Sequence, residues 1–264
     1  MTYSIIFLVI FMKKSIIIII SVALVFLALF LYLFIQNRNM VAVLTYHSVL
    51  DSDKNNSTNG MSIDTSKFEH QIKLLKKLGY KSMSLKEFYC WKNKTCKLKG
   101  KHVLITFDDG YLDNYTNAVK ILKKYDMKAV IFVIGKTIEH KNDRYLDLET
   151  IEKMKKEYPN IEIASHTYNL HSNRRNKTYE EINNDIQLMR KVIDTDYIAY
   201  PNGVYDDTYI KALKDNKYKM AFTFGPRKDH RKCKKTDDNY KIPRLFIDSN
   251  MPDYKFILRL ILPI

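Results

Sequence analysis

A strand that must be buried and yet ends in two acids constrains this chain more than any other feature. Val103, Leu104 and Ile105 form an apolar, β-branched run that reads as a buried strand, and it stops at Asp108-Asp109-Gly110. A buried carboxylate without a partner costs several kcal/mol or takes up a proton, so something cationic or reactive belongs at the strand tip. Side chains alternate along extended chain, so the two carboxylates point different ways and can serve two roles at one site. A plain Asp-Asp-Gly turn would also explain the dipeptide taken alone.

A second stretch decides between them. Ile161-Glu162-Ile163-Ala164 reads as a short strand and runs into Ser165-His166-Thr167-Tyr168-Asn169-Leu170-His171. Two histidines five positions apart lie roughly 140° apart around a helix, so only a strand end passing into a loop brings them together. One carboxylate and two imidazoles, with coordination positions left open, form a hydrolytic divalent-metal site.

The rest of the chain alternates strand and helix signals. Met40 to Tyr46 reads as a strand ending at His47, and residues 51–62 as a polar loop. Phe68, Ile72, Leu75 and Leu78 follow helical spacing, with Gly79 as the stop. Ser84 and Glu87 resemble a capping box opening a helix to Trp91. Helices are expected over 112–125, around Leu148, Ile151 and Met154, from Thr178 to Ile193, over 206–216 and over 254–262. Further strands are expected at 128–134, 197–200, 219–224 and 242–247, with 226–239 an exposed, lysine-rich loop. Such alternation predicts an α/β fold, a parallel sheet covered by helices. About seven strands suit a closed or nearly closed barrel, whose chemistry collects at the C-terminal strand ends. Asp108, Asp109, His166, His171, Tyr200 and His47 all fall at such ends.

Thr106-Phe107-Asp108-Asp109-Gly110 and Ser165-His166-Thr167 through His171 resemble the first two motifs of the polysaccharide deacetylases, carbohydrate esterase family 4 with its nodulation-deacetylase homology domain. Ala199-Tyr200-Pro201-Asn202-Gly203 resembles that family's third motif in a less typical form, and the resemblance covers roughly residues 41–250. It implies a distorted (β/α) barrel that hydrolyses N-acetyl groups of N-acetylglucosamine units. By motif position Asp109, His166 and His171 hold the metal, with Zn²⁺ favoured and Co²⁺ or Ni²⁺ also fitting the donors. Asp108 is then the general base, and Tyr200, Pro201, Asn202 and Gly203 face the substrate, with a backbone N–H near Asn202 for the oxyanion. Tyr168, inside the histidine motif, is a candidate sugar contact; core packing explains Tyr111 and Trp91 equally well.

Two departures stand out. Ala199 replaces an arginine frequent in the family, and Leu245-Phe246-Ile247-Asp248 stands where a late histidine is expected. Arg244 and Asp248 are placed to occupy part of that space. His47 is the favoured general acid, because it ends a predicted strand on the same face, and the branch acting on linear poly-N-acetylglucosamine is similar in carrying Tyr-His there; His230 is the other candidate.

At the N-terminus, Ser15 to Ile35 carries no charge and is long enough to cross a bilayer. Lys13 and Lys14 precede it, which predicts residues 1–14 in the cytoplasm, 15–36 as a signal-anchor and 37–264 as an extracytoplasmic domain. A cleaved signal peptide opens similarly, but this run is longer than a signal core and no small-x-small site follows. The chain carries a formal +15, and +13 once the first 36 residues are set aside. No interleaved arginine and aromatic motif points to nucleic acid, so a solvated basic surface or an anionic wall or lipid partner is expected. Cys90 and Cys96 either close a small loop around Lys92-Asn93-Lys94 or remain thiols, and Cys233 has no nearby partner in sequence.

An anchored, outward-facing enzyme of this kind is expected to act on a cell-surface polymer, peptidoglycan or poly-N-acetylglucosamine. The alternatives are an O-acetyl esterase of the xylan type and an idle carbohydrate-binding relative.

Overall fold

The computed structural model describes residues 2–51, 60–140, 142–172, 176–224 and 231–262. His230 and residues 52–59 of the expected polar loop lie outside them. In chain order the elements are α1 (Thr2–Arg38), β1 (Met40–Tyr46), β2 (Ser48–Leu50), β3 (Ser62–Asp64), α2 (Thr65–Lys77), β4 (Tyr80–Ser82), α3 (Leu85–Lys92) and β5 (Lys101–Phe107). Next come α4 (Lys120–Lys124), β6 (Ala129–Val133), α5 (Gly135–Glu139), α6 (Leu148–Glu157), β7 (Ile161–Ser165), α7 (Tyr179–Val192) and β8 (Tyr197–Ala199). The last elements are α8 (Asp207–Asp215), β9 (Met220–Phe222), β10 (Cys233–Lys234), β11 (Leu245–Phe246) and α9 (Asp253–Ile261).

The main sheet runs β10-β1-β5-β6-β7-β8-β9, with β4 added on β5 and β11 on β1. Every pairing is parallel except β10 with β1. Alternation along the strands sorts two buried faces: Val41, Val43 and Leu104 turn one way, and Ala42, Leu44, Val103 and Ile105 the other. The first set meets Phe88 and Trp91 of α3, so α3 packs into the inside of the curled sheet and floors it at the strand starts. Ser84 caps α3 through a reciprocal box with Glu87, as the spacing predicts. The second set packs under α2, α4, α6 and α9.

The expected last strand, 242–247, is divided. Ile242 bridges to Phe222 of β9, whereas Leu245 and Phe246 pair with Leu44 and Thr45 of β1. Pro243 has no N–H and cannot continue a ladder, so the segment steps across the gap and nearly closes the barrel. The expected 112–125 helix is divided too. Asn114–Val119 is a π turn before α4, and it is anchored sideways: Asn114 donates to the His47 carbonyl (2.6 Å) and Asn117 to that of Val49 (2.7 Å). Leu148 begins α6 exposed rather than packed.

The lysine-rich loop is not wholly exposed. Lys232 and Cys233 are buried, β10 pairs with β1, and the buried Lys92 amine donates to the carbonyls of Lys235 and Asp237. A chain folded back onto an edge strand must bury whatever residues face the sheet, and the lysine stems are long enough to reach carbonyls. Cys90 and Cys96 are disulfide-bonded and Cys233 is a buried thiol. Helix α1 contains an apolar span, Met12–Leu33, that is long enough to cross a membrane.

At the tip of β8 the chain turns through Pro201–Gly203, where Asn202 and Gly203 take left-handed φ of 52° and 68°. A Cβ on Gly203 would fall on the Phe224 carbonyl. Gly203→Ala should therefore lower unfolding stability by about 2 kcal/mol or more, read from denaturant midpoints.

Candidate metal centre

The tips of β5 and β7 flank that of β6, because both strands pair with it in parallel. Asp108 continues the ladder, its N–H donating to the Tyr46 carbonyl. Asp109 then turns left-handed at φ 72°, and Gly110 follows at 73°, where a Cβ would sit 2.8 Å from Val133 Cγ1. That abrupt turn sends the two carboxylates to different partners. Thr167 makes the same left-handed turn after His166, at φ 73°. A non-glycine residue held there costs roughly 1–2 kcal/mol, and here two such turns frame one site.

Asp109 Oδ1 lies 3.1 Å from His171 Nε2 and 3.5 Å from His166 Nε2. Donor atoms around a tetrahedral ion at zinc bond lengths are separated by about 3.3 Å. Asp109 Oδ1 is buried and faces the His171 and His166 rings, which suits a carboxylate shaped for a cation. His166 Nδ1 sits 2.8 Å from the Ala199 carbonyl, so that nitrogen carries the proton and Nε2 presents a lone pair. Burial lowers the His166 pKa against the pull of Asp108 and Asp109, so the ring stays neutral, as a ligand must. Burial would raise the Asp109 carboxyl, but the hydrogen bond from His171 and the His166 and His47 rings outweigh it and hold it ionised. Asp109, His166 and His171 thus form a divalent-metal-binding triad.

Asp108 is 2% exposed and grips Arg244, itself buried, through two bonds of 2.7 Å. Burial raises the Asp108 pKa and the Arg244 guanidinium reverses it, leaving an ionised carboxylate below the ordinary range. Arg244 Nε donates to the Thr223 carbonyl at 2.7 Å, and Phe132 and Phe224 flank the guanidinium. The cation comes from between the two halves of the divided last strand. Asp248 instead accepts from the Asn250 N–H in a local turn.

His47 is 8% exposed, between the rings of Phe224 (5.6 Å) and Phe246 (6.1 Å). Burial lowers its pKa, and it lies near enough to Asp108 and Asp109 for both to raise it. Its Nδ1 is buried without a hydrogen-bond partner. Tyr200 is fully buried, stacked on Tyr205, with its hydroxyl donating to the Tyr240 carbonyl, so its side chain belongs to the core and only its backbone borders the site. Pro201 is buried, while Asn202 is exposed and Gly203 half-buried in the adjoining turn. Tyr168 covers Gly135 and donates to Glu139 at 2.6 Å, which leaves it half-buried at the rim. Trp91 lies in the floor and Tyr111 stacks on Tyr145.

Sequence reading missed Asp185. On α7 it interrupts the apolar stripe of Ile182, Ile186 and Met189, and an acid on a buried helix face was the available signal. Its carboxylate accepts the N–H groups of Tyr168 (2.8 Å) and Asn169 (2.7 Å), fixing the loop between the two histidines. Asp185→Asn keeps one acceptor of the two and should weaken metal binding by about 10- to 100-fold, measured by competition with a chelating dye, with the fold retained.

Comparison with known proteins agrees with this geometry. The family described as Polysaccharide deacetylase matches residues 96–221. The Bacillus subtilis protein YxkH is 36% identical over 190 residues, 70% of this chain and 64% of that one, so the match leaves over a third of YxkH uncovered. A poly-beta-1,6-N-acetyl-D-glucosamine N-deacetylase of Staphylococcus aureus is 30% identical over 204 residues, covering 72% of this chain and 69% of that protein. The solved structure of the Streptococcus pyogenes deacetylase PplD in complex with acetate superposes with a TM-score of 0.74 at 25% identity, over 84% of this chain and 98% of that one. With the family match, the relatives' identity and the fold in agreement, the chain belongs to the polysaccharide deacetylase family.

Proposed function

We propose that this chain is a metal-dependent hydrolase that removes N-acetyl groups from N-acetylglucosamine units of a cell-surface polysaccharide, peptidoglycan or poly-N-acetylglucosamine, and releases acetate. The observation that carries this reading is a metal triad set beside a separate ionised carboxylate, Asp108, that Arg244 locks in place. The name of the Staphylococcus aureus relative supports the polymer class.

A divalent ion in the triad, with zinc favoured and cobalt or nickel suited, would polarise the acetyl carbonyl and lower the pKa of an attacking water. Asp108 takes the proton from that water; Arg244 holds both its oxygens, so the base does not rotate away. A backbone N–H of the Tyr200–Gly203 turn stabilises the oxyanion, and that turn adjoins Ala199, whose carbonyl orients His166. His47 passes a proton to the departing nitrogen as the C–N bond breaks, giving acetate and a free amine. Its ring is held between two phenylalanines while Asn114 fixes its carbonyl, so it works from a set position. Tyr168 offers a sugar only the outer part of its ring.

Helix α1 is read as a single-pass anchor, with residues 1–14 cytoplasmic, 15–36 in the bilayer and 37–264 outside; Lys13 and Lys14 on the inner side support this.

Acetate release from N-acetylglucosamine polymers should stop on chelation and return with Zn²⁺. Asp108→Asn should reduce it by about 100-fold or more while one metal equivalent still binds. Metal binding without release from any N-acetylated polymer would sink the proposal. His47→Ala should slow N-deacetylation far more than hydrolysis of an O-acetyl ester, because an alkoxide leaves more readily than an amine. Equal losses on both substrates would remove His47 as the general acid.

A further inference from the structure

The parallel strands give the domain two unlike ends. The metal triad marks one; the other is the floor, where the strands start and α3 packs. Helix α1 joins the floor, because Arg38 ends it and β1 starts at Met40. From the last residue of the apolar span, Leu33, the chain to Met40 reaches at most about 25 Å. Any α1 that crosses a bilayer therefore holds the floor near the headgroups.

The floor is basic. Lys101 is the first residue of β5, Lys81 of β4 lies opposite His102 of β5, and Lys234 lies opposite Met40. Lys97 and Lys99 stand in the loop between α3 and β5, whose Leu98 packs against the cluster of Val41 and Trp91. All five lysines are exposed, and none is in an ion pair among the described residues. Several carboxylates at this end are already engaged. Glu87 pairs with Lys128, Asp237 with Arg231 and Asp196 with Lys219, while Glu162 accepts the Leu85 N–H.

Helix α9 runs down to the same end. The carbonyl of Leu260 accepts from Tyr80, which begins β4, and from Lys232, beside β10. Phe256 and Leu260 are buried, whereas Tyr254, Leu258 and Ile261 are exposed at spacings of four and three, one stripe of the helix. Ile261 and Leu258 are thus uncovered apolar groups at the edge of the lysine field.

We propose that the floor docks on the anionic phospholipid headgroups of the bilayer that α1 crosses, with its lysines on the phosphates and the end of α9 dipping among the headgroups. The inference rests on the reading of α1 as an anchor. Lysines within a Debye length of about 10 Å feel the negative surface potential, and the tether keeps them within reach of it. Strands of five to seven residues then hold the metal centre roughly 20 Å farther out, facing away from the bilayer toward polymer outside.

The test uses the full chain in bilayers of phosphatidylcholine, with or without phosphatidylglycerol, carrying a fluorophore on Ile261→Cys or Asp207→Cys. Cys233 is buried and Cys90 bonds Cys96, so the new thiol is the one that labels. Nitroxide lipids should quench the Ile261 probe when phosphatidylglycerol is present and lose that effect in phosphatidylcholine alone. Asp207, at the start of α8 on the opposite end, should stay unquenched in both. Lys97→Glu with Lys99→Glu and Lys101→Glu should abolish quenching at Ile261 and leave hydrolysis of a short soluble substrate unchanged. Quenching that ignores phosphatidylglycerol, survives the three substitutions or appears at Asp207 would overturn the docking. Chain stripped from the bilayer by alkaline washing would instead overturn the anchor, and the docking with it. Neither readout needs turnover, so failure of the deacetylase reading would show separately.

Discussion

The buried pair of Arg244 and Asp108 ties the last stretch of the sheet to the strand that carries the acids. Two charges leave water there, which is tolerable only because the carboxylate accepts two aligned N–H groups and the guanidinium spends a further donor on the Thr223 carbonyl. Removing either partner would strand the other in a dry site, at about 3–5 kcal/mol. The pair therefore fixes three things together: the path of the chain across the gap in the barrel, the ionised state of Asp108, and its angle toward the metal triad.

Around that pair the site is assembled from backbone turns as much as from side chains. Left-handed residues at Asp109, Thr167 and Asn202 stand at the tips of β5, β7 and β8, each turning the chain sharply where an ordinary strand would run on. Buried side chains hold these turns and their neighbours. Asp185 binds the histidine loop, Asn114 binds the residue that carries the His47 ring, and the Ala199 carbonyl sets the tautomer of His166. Strain of this kind persists only where packing over-determines it, and all three turns lie in the motifs that carry the chemistry.

Opposite ends of the barrel serve different surroundings. Carboxylates and imidazoles gather at the strand ends, while at the strand starts Glu87, Asp196 and Asp237 are paired and five exposed lysines are not. A parallel sheet makes such polarity inherent, because every strand points the same way and its two ends never mix.

The motifs, the capping boxes at Ser84 and Thr178, the apolar span and the strand–helix alternation were determined by the sequence itself, since each rests on neighbours a few residues apart. The break in the last strand was also written locally, in Pro243, although its meaning was not. Only the tertiary structure decided that Arg244 supplies the cation for Asp108, that Asp185 steadies the histidine loop, and that the Tyr200 ring belongs to the core. Those contacts join residues far apart in the chain, 136 positions in the case of Arg244 and Asp108. Local periodicity records which face of an element is buried; which charge waits on that face is settled by the strand order that brings the tips together.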